Sequence, residues 1–260
     1  MPIPEDGYPL AAAISPRLQV VTRTGSTNAD LVAAVSEGPD LEWPHLSVLL
    51  TTDQTAGRGR LDRTWTAAPG TALAISVLVR VADIPPTARG WIPLVAGAAM
   101  TRAVDTRLRA SRHTARLKWP NDVLVDGLKI CGILAEVTSD PDAIVIGAGI
   151  NTTMTRSDLP VTTATSFATL GIEPDDDAVL AEYLSALDEQ LTALAFAHGD
   201  AAAAGVHGEV EALCATVGRE VVVALPDGTQ LAGTAERIDN EGRLVVAGRA
   251  VSAGDVVHVR

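Results

Sequence analysis

The sequence predicts an α/β domain followed by a small all-β unit, and three observations carry that prediction. Runs of strand character alternate with helical runs as far as about residue 215. Asp126-Gly127 separates two β-rich runs, as a tight turn between paired strands would. From Gly218 to Val259 short β runs alternate with the turns Pro226-Asp227-Gly228, Asp239-Asn240-Glu241-Gly242 and Ala253-Gly254-Asp255, a barrel or sandwich of roughly five strands. The division expected is therefore 1–215 and 216–260.

Each element follows from local pattern. Residues 1–16, rich in proline and small side chains, are expected as a loose lead-in. Arg17 to Thr22 reads as a strand. Gly25-Ser26-Thr27-Asn28 then precedes a helix from Ala29 to Ser36, with Ser26, Thr27 or Asn28 as its cap. Leu46–Leu50 and Ala72–Val79 are apolar strands, and Thr87–Leu108 has helical character. Ala115–Trp119 is strand-like; Val123–Val125 and Leu128–Val137 form the hairpin around Asp126-Gly127. Ala143–Ile150 is a buried strand, Thr152–Ser166 a polar loop, and Asp175–Ala197 a helix with acidic residues in its first turn, as the helix dipole favours. A further helical stretch reaches about Ala215.

Composition narrows the function. With 260 residues and 47% hydrophobic side chains the chain can bury a large core. A net charge of −12 argues against a general nucleic-acid binder. Cys131 and Cys214 are far apart and lack metal-ligand spacing, and Cys131 lies in an apolar run. The first residues lack the charge and apolar pattern of a signal peptide, and no apolar run is long enough to span a bilayer. A cytoplasmic, soluble protein is expected.

Against that acidic background, Gly57-Arg58-Gly59-Arg60-Leu61-Asp62-Arg63-Thr64-Trp65 places three arginines within six residues. Glycines let main-chain N–H groups close on a ligand, and arginine grips carboxylate or phosphate through two parallel hydrogen bonds. Taken alone, the segment reads equally well as a solvated surface loop. It is not a Walker A loop, since no Gly-Lys-Ser/Thr follows. Trp65 by itself reads as core packing. A second segment, Lys118-Trp119-Pro120-Asn121-Asp122, is expected to leave its strand at Pro120 and present Asn121 and Asp122 at the strand end. Lys129 just after the tight turn would by itself be an exposed hairpin lysine. Gln54 and Asn151 alone read as a loop polar residue and a strand end.

Together these segments resemble the biotin–protein ligases. The resemblance covers nearly the whole chain. It rests on Gly25-Ser26-Thr27-Asn28, Asp53-Gln54-Thr55-Ala56 leading into Gly57-Arg58-Gly59-Arg60, Lys118 to Asp122, Lys129-Ile130-Cys131-Gly132-Ile133-Leu134 and Gly147-Ala148-Gly149-Ile150-Asn151. It implies a catalytic domain akin to the class II aminoacyl-tRNA synthetase core, with a mixed sheet, and an SH3-like C-terminal barrel. By that likeness Ser26, Thr27, Asn28 and Gln54 surround the biotin rings, with Gly57 and Gly132 also at biotin. Arg58, Gly59 and Arg60 close over biotin and the adenylate, and Lys129 contacts the biotin carboxylate and the α-phosphate. Trp65, Lys118, Asn121 and Asn151 lie by the nucleotide. Asp122 lies near the phosphate and its magnesium. Arg60, Lys129 and Asp122 are the implied catalytic set.

The activity so implied uses ATP, biotin and Mg2+ to form biotinyl-5'-AMP, then biotinylates a lysine on the biotin carboxyl carrier domain of an acyl-CoA carboxylase. Leu61 and Asp62 stand where the family commonly has a basic residue and a glycine, which puts a negative charge near the anion clamp. Ile130-Cys131 and Ala148 are packing variants. Longer regulatory members carry an N-terminal winged helix-turn-helix. Few residues precede Arg17, so a short form without sequence-specific DNA binding is expected. Two other readings stand beside this one. A lipoate or octanoate ligase shares the architecture, but its Arg-Arg…Gly-Gly-Gly…His-Asp pattern is not found. A non-catalytic biotin-binding adaptor would keep biotin without turning over ATP.

Overall fold

The structure is a computed structural model that describes residues 7–37, 43–61, 63–225, 227–252 and 254–259. Asp62, Pro226 and Ala253, singled out above, lie outside the described residues.

Seven strands form the main sheet: β1 (Leu18–Val20), β2 (Ser47–Thr51), β5 (Ala72–Arg80), β6 (Ala115–Lys118), β7 (Asp122–Val125), β8 (Leu128–Val137) and β9 (Ala143–Asn151). Their order is β1-β2-β5-β9-β8-β7-β6. Only the β1–β2 pair is parallel, so the sheet is mixed. Side chains alternate across such a sheet, and two cores result. Val48, Leu50, Val77, Val79, Ile144 and Ile146 point into the larger core. Helices α3 (Ile92–Leu108) and α4 (Asp176–Phe196) belong to that core. Leu49, Leu78 and Val145 point the other way, against Leu31 and Val35 of helix α2 (Thr27–Glu37).

The Asp126-Gly127 hairpin is as expected: both residues take positive φ, 49° and 84°, which a two-residue turn between twisted strands favours. Asp175 caps α4 by accepting the Ala178 N–H. The helical run up to Leu108 is present in two parts: Pro86–Trp91 is a 3₁₀ turn and α3 starts at Ile92, with Pro93 in its first turn, where no helical donor is needed. One expectation is corrected: the lead-in is not loose from residue 7 onward. Helix α1 (Pro9–Ala12) is tied down where the Leu10 and Ala11 N–H groups each donate to the Asp177 carboxylate at 2.9 Å. Tyr8 and Ala11 are buried.

Beyond α5 (Val206–Leu213) the remaining strands form a five-stranded antiparallel sheet: β10 (Glu220–Ala224), β11 (Gln230–Ile238), β12 (Leu244–Val246), β13 (Arg249–Val251) and β14 (Asp255–His258). Two buried indoles, one before α3 and one after β6, hold its 239–242 turn. Trp91 Nε1–H donates to the Asn240 carbonyl at 2.9 Å and Trp119 Nε1–H to the Gly242 carbonyl at 3.1 Å. A hydrogen-bonded indole satisfies its polar edge while burying a large apolar face. Val221, Val223, Leu244 and Val246 share one continuous core with the α/β residues.

Candidate functional site

A cavity enclosing about 930 Å³ of non-atom space, counting its open mouth, lies on the α2 side of the main sheet. Sheet register explains why it is there. Ala74 pairs with Gly149, Ser76 with Gly147, Gly132 with Gly149 and Leu134 with Gly147, so these positions share the α2 face. Toward one end that face carries Leu78 and Val145 under the helix. Toward the other it carries Ala74, Ser76, Gly132, Gly147 and Gly149, small residues that leave a hollow floor. Larger groups use the space: a Cβ at Gly147 would stand 2.5 Å from Asn28 Oδ1, and one at Gly149 would stand 2.7 Å from the Trp65 indole.

Helix α2 aims its first turn into the hollow. Ser26 is the cap, its hydroxyl accepting the Ala29 N–H at 3.3 Å. With capping done by Ser26, Thr27 and Asn28 face the cavity. The loop before α2 is laced to residues 54–56: Thr55 N–H donates to Thr24 O and Ala56 N–H to Gly25 O. Gln54 Oε1 accepts from Thr27 N at 2.8 Å and from Thr27 Oγ1 at 3.1 Å. This end of the cavity is a wall of fixed hydroxyl and amide groups.

The glycine–arginine segment forms a small hairpin of β3 (Gly57–Arg58) and β4 (Thr64–Trp65), pairing Gly57 with Trp65 and Arg58 with Thr64. Close approach is why residue 57 is glycine: a Cβ there would stand 2.7 Å from the Trp65 carbonyl. Leu61 at the tip takes φ 55°, a conformation costly for a leucine. Arg58 pairs with Glu136 at 2.9 Å, and Arg60 Nη1 donates to Asn121 Oδ1 at 3.1 Å. Trp65 lines the cavity over Gly149 and is half-buried, which corrects its reading as core packing.

Lys118 to Asp122 makes a tight hairpin between β6 and β7, in which Lys118 pairs with Asp122. The strand ends before Pro120 as expected: Pro120 lies in the turn, the Trp119–Pro120 peptide is cis, and Asn121 N–H closes the turn on Lys118 O. Trp119 is buried, while Asn121 and Asp122 reach the cavity.

Lys129 owes its position to a bulge. Val123 pairs with Cys131 but Leu124 pairs with Lys129, leaving Ile130 as the extra residue. In a regular strand Lys129 would share the face of Cys131, which is buried in the larger core. The bulge turns it to the cavity side, where its Nζ lies 2.6 Å from Asp122 Oδ1. Lys129 is therefore not merely an exposed hairpin lysine. Burial pushes the neighbouring Cys131 thiol up to about 12, so it stays protonated and unreactive at neutral pH.

Of the residues expected from sequence, Ser26, Thr27, Asn28, Gln54, Arg58, Gly59, Arg60, Trp65, Asn121, Asp122, Lys129 and Gly132 line this one cavity. Gly57 supports it from behind, against Gln54 and Trp65. Lys118 and Asn151 are not in its lining. Asn151 is buried at the end of β9 and its Nδ2 donates to Thr165 O at 2.9 Å. Three residues were missed. Arg63 also lines the cavity, from the same arginine-rich segment. Ser76 bonds the α2 residues from below, and Glu136 holds Arg58. Glu136 had one signal: it falls at the same strand parity as Gly132 and Leu134 in an otherwise apolar run. Four cations, Arg58, Arg60, Arg63 and Lys129, thus line the cavity against one carboxylate, Asp122, among the described residues. Such a surface favours anions within a chain of net charge −12.

The profile of the biotin/lipoate A/B protein ligase family matches residues 20–151, the stretch that supplies most of this cavity. The biotin–[acetyl-CoA-carboxylase] ligase of Mycobacterium tuberculosis is 41% identical over 94% of this chain and 90% of its own length. The chain belongs to the biotin/lipoate A/B protein ligase family. Another relative in that family, the bifunctional ligase/repressor BirA of Escherichia coli, is 42% identical over 40% of this chain and 32% of its own length. The biotin protein ligase of Aquifex aeolicus, solved with biotin and ATP, superposes with a TM-score of 0.75 at 23% identity, covering 94% of this chain and 99% of that one. That match establishes the ligase fold, mixed sheet included.

Proposed function

We propose that this chain joins biotin to ATP as biotinyl-5'-AMP and transfers the biotinyl group to a lysine of the biotin carboxyl carrier domain of an acyl-CoA carboxylase. One observation carries the reading: a cavity with a fixed polar end and four cations, in a chain 41% identical to a biotin–[acetyl-CoA-carboxylase] ligase.

In the first step a biotin carboxylate oxygen attacks the α-phosphorus and pyrophosphate leaves. Two anions must meet, and their repulsion falls on the cationic wall. Lys129 and Arg60 flank the Asn121–Asp122 corner, so they are assigned to the carboxylate and the α-phosphate; Arg58 and Arg63 close from the hairpin. Fixed charges that strengthen as the transition state forms lower its barrier without reorganising. Thr27, Asn28 and Gln54 hold the ring end, and Trp65 offers a flat face to the nucleotide. In the second step the acceptor lysine amine attacks the acyl carbon, an amide forms and AMP leaves. That amine must first lose a proton, and Asp122 is assigned to receive it. The β3–β4 hairpin would shield the anhydride from water. We assign residues 216–260 as an SH3-like domain packed on the α/β core and the cell interior as the site of action. Among the described residues no helix is long and apolar enough to cross a membrane.

A magnesium ion is proposed to arrive with ATP. No group of three or more His, Cys, Asp or Glu side chains that could hold a metal ion is present among the described residues. One cavity carboxylate, Asp122, fits an ion held chiefly by phosphate oxygens. When bound, it would neutralise phosphate charge.

The test is biotin-dependent exchange of pyrophosphate into ATP with magnesium, followed by mass spectrometry of a carrier domain's lysine. Exchange and a biotinylated lysine are expected. Exchange driven by lipoate instead of biotin, or biotin binding without exchange, would overturn the reading in favour of a lipoate ligase or an adaptor.

A further inference from the structure

Asn28 is held by protein on every side but one. Its Nδ2 donates to Glu136 Oε2 at 2.8 Å and to the Leu134 carbonyl at 3.2 Å. Its Oδ1 accepts the Ser76 hydroxyl at 2.5 Å. Both amide hydrogens are therefore spent, and one lone pair on Oδ1 remains for a ligand. The residue is 5% exposed and Gly147 backs its amide.

Glu136 makes this arrangement one-way. A carboxylate only accepts, so the amide must turn its nitrogen toward it. The same carboxylate accepts from Arg58 Nη2, at 2.9 Å to Oε1 and 3.2 Å to Oε2. A glutamine in its place could not accept from both Asn28 and Arg58 without turning its own N–H groups against one of them.

We infer that Glu136 is a positioning residue that fixes Asn28 as a hydrogen-bond acceptor for a ring N–H of the ligand and joins that recognition to Arg58 of the arginine hairpin. This rests on the reading of biotin as substrate. The biotin ureido ring carries two N–H donors and one carbonyl, so an acceptor of fixed polarity selects an N–H. Glu136 touches neither reacting atoms nor phosphate; it acts through Asn28 and Arg58.

The experiment compares wild type and the isosteric Glu136→Gln variant for binding of biotin and of the two cyclic carbamates in which one ring N–H or the other is replaced by oxygen. Wild type is expected to bind biotin about tenfold more tightly than one of the carbamates, the strength of one hydrogen bond. In Glu136→Gln that preference should collapse to within twofold, because biotin affinity falls while that carbamate is unaffected. In pyrophosphate exchange the variant should raise KM for biotin more than it lowers kcat. Should Glu136→Gln not fold, Glu136→Ala is read for the same preference. An unchanged preference for biotin in the variant, or equal loss of all three ligands, would overturn the proposal. Failure of wild type to bind biotin would instead overturn the substrate reading on which it rests.

Discussion

Gly147→Ala tests the hollow floor directly. The added Cβ would stand 2.5 Å from Asn28 Oδ1, 2.8 Å from its Nδ2 and 2.9 Å from its Cγ, closer than carbon tolerates. Asn28 cannot yield cheaply, since its amide bonds Ser76, Leu134 and Glu136. Overpacking of this kind costs about 1–3 kcal/mol. Losing the bond to the Glu136 carboxylate would add about 1.5–3 kcal/mol. Against that, alanine restricts the unfolded chain and returns about 0.4–1 kcal/mol. A net loss of about 1.5–5.5 kcal/mol is expected. Biotin affinity should fall at least about tenfold, from one misplaced hydrogen bond. Urea unfolding reads the first quantity and titration calorimetry the second. Gly208→Ala is the control: it lies in helix α5 with open space around it, and should raise stability by up to about 1 kcal/mol. If Gly147→Ala unfolds at the wild-type midpoint and binds biotin unchanged, the floor does not govern Asn28 and the account of the cavity is wrong.

Further perturbations separate chemistry from stability. Lys129→Ala should slow adenylate formation about a hundredfold, the usual effect of removing one transition-state donor of about 3 kcal/mol. Its half-exposed pair with Asp122 contributes at most about 1 kcal/mol, so a matching collapse in thermal stability would refute the assigned role. Burial raises the Asp176 carboxyl to about 6, with Tyr8 and Asp177 nearby. The folded state therefore holds that proton more tightly than the unfolded chain, whose value is near 3.8. Stability from this group is complete below about pH 4 and is lost as pH rises through about 6. Asp176→Asn should be more stable than wild type by up to about 3 kcal/mol at pH 7 and no more stable at pH 3.5, as read by denaturant titration at both values. Trp119→Phe removes the donor to Gly242 O and should cost about 1–3 kcal/mol while leaving the cavity lining in place. A large loss of biotin binding at intact stability would contradict that.

How much of this was legible before folding differs by residue. Helix α2 and its cap, strands β2, β5 and β9, the Asp126-Gly127 turn and the five-stranded tail follow from local pattern, because periodicity and turn chemistry act over a few residues. The anion-gripping character of residues 57–63 was legible as well, since a cluster of arginines among glycines carries its charge wherever the loop lies. The anchoring of α1 was not legible, because its partner Asp177 is 166 residues away from Ala11.

Sequence alone therefore determined which chemical groups this protein owns: an arginine hairpin, an amide- and hydroxyl-bearing helix start, a lysine and an aspartate beside strands, all in an acidic chain. Tertiary structure decided which of them meet. Lys129 faces the cavity because one extra residue at Ile130 reverses its side of the strand. Ser76 and Glu136 meet Asn28 of α2 because the register of β5, β9 and β8 puts the two strand residues on the face beneath that helix, beside glycines. Trp65 stands over Gly149 for the same reason. Register is a long-range property, and a slip of one residue would send the strand-borne groups Ser76, Lys129 and Glu136 to the opposite side of the sheet.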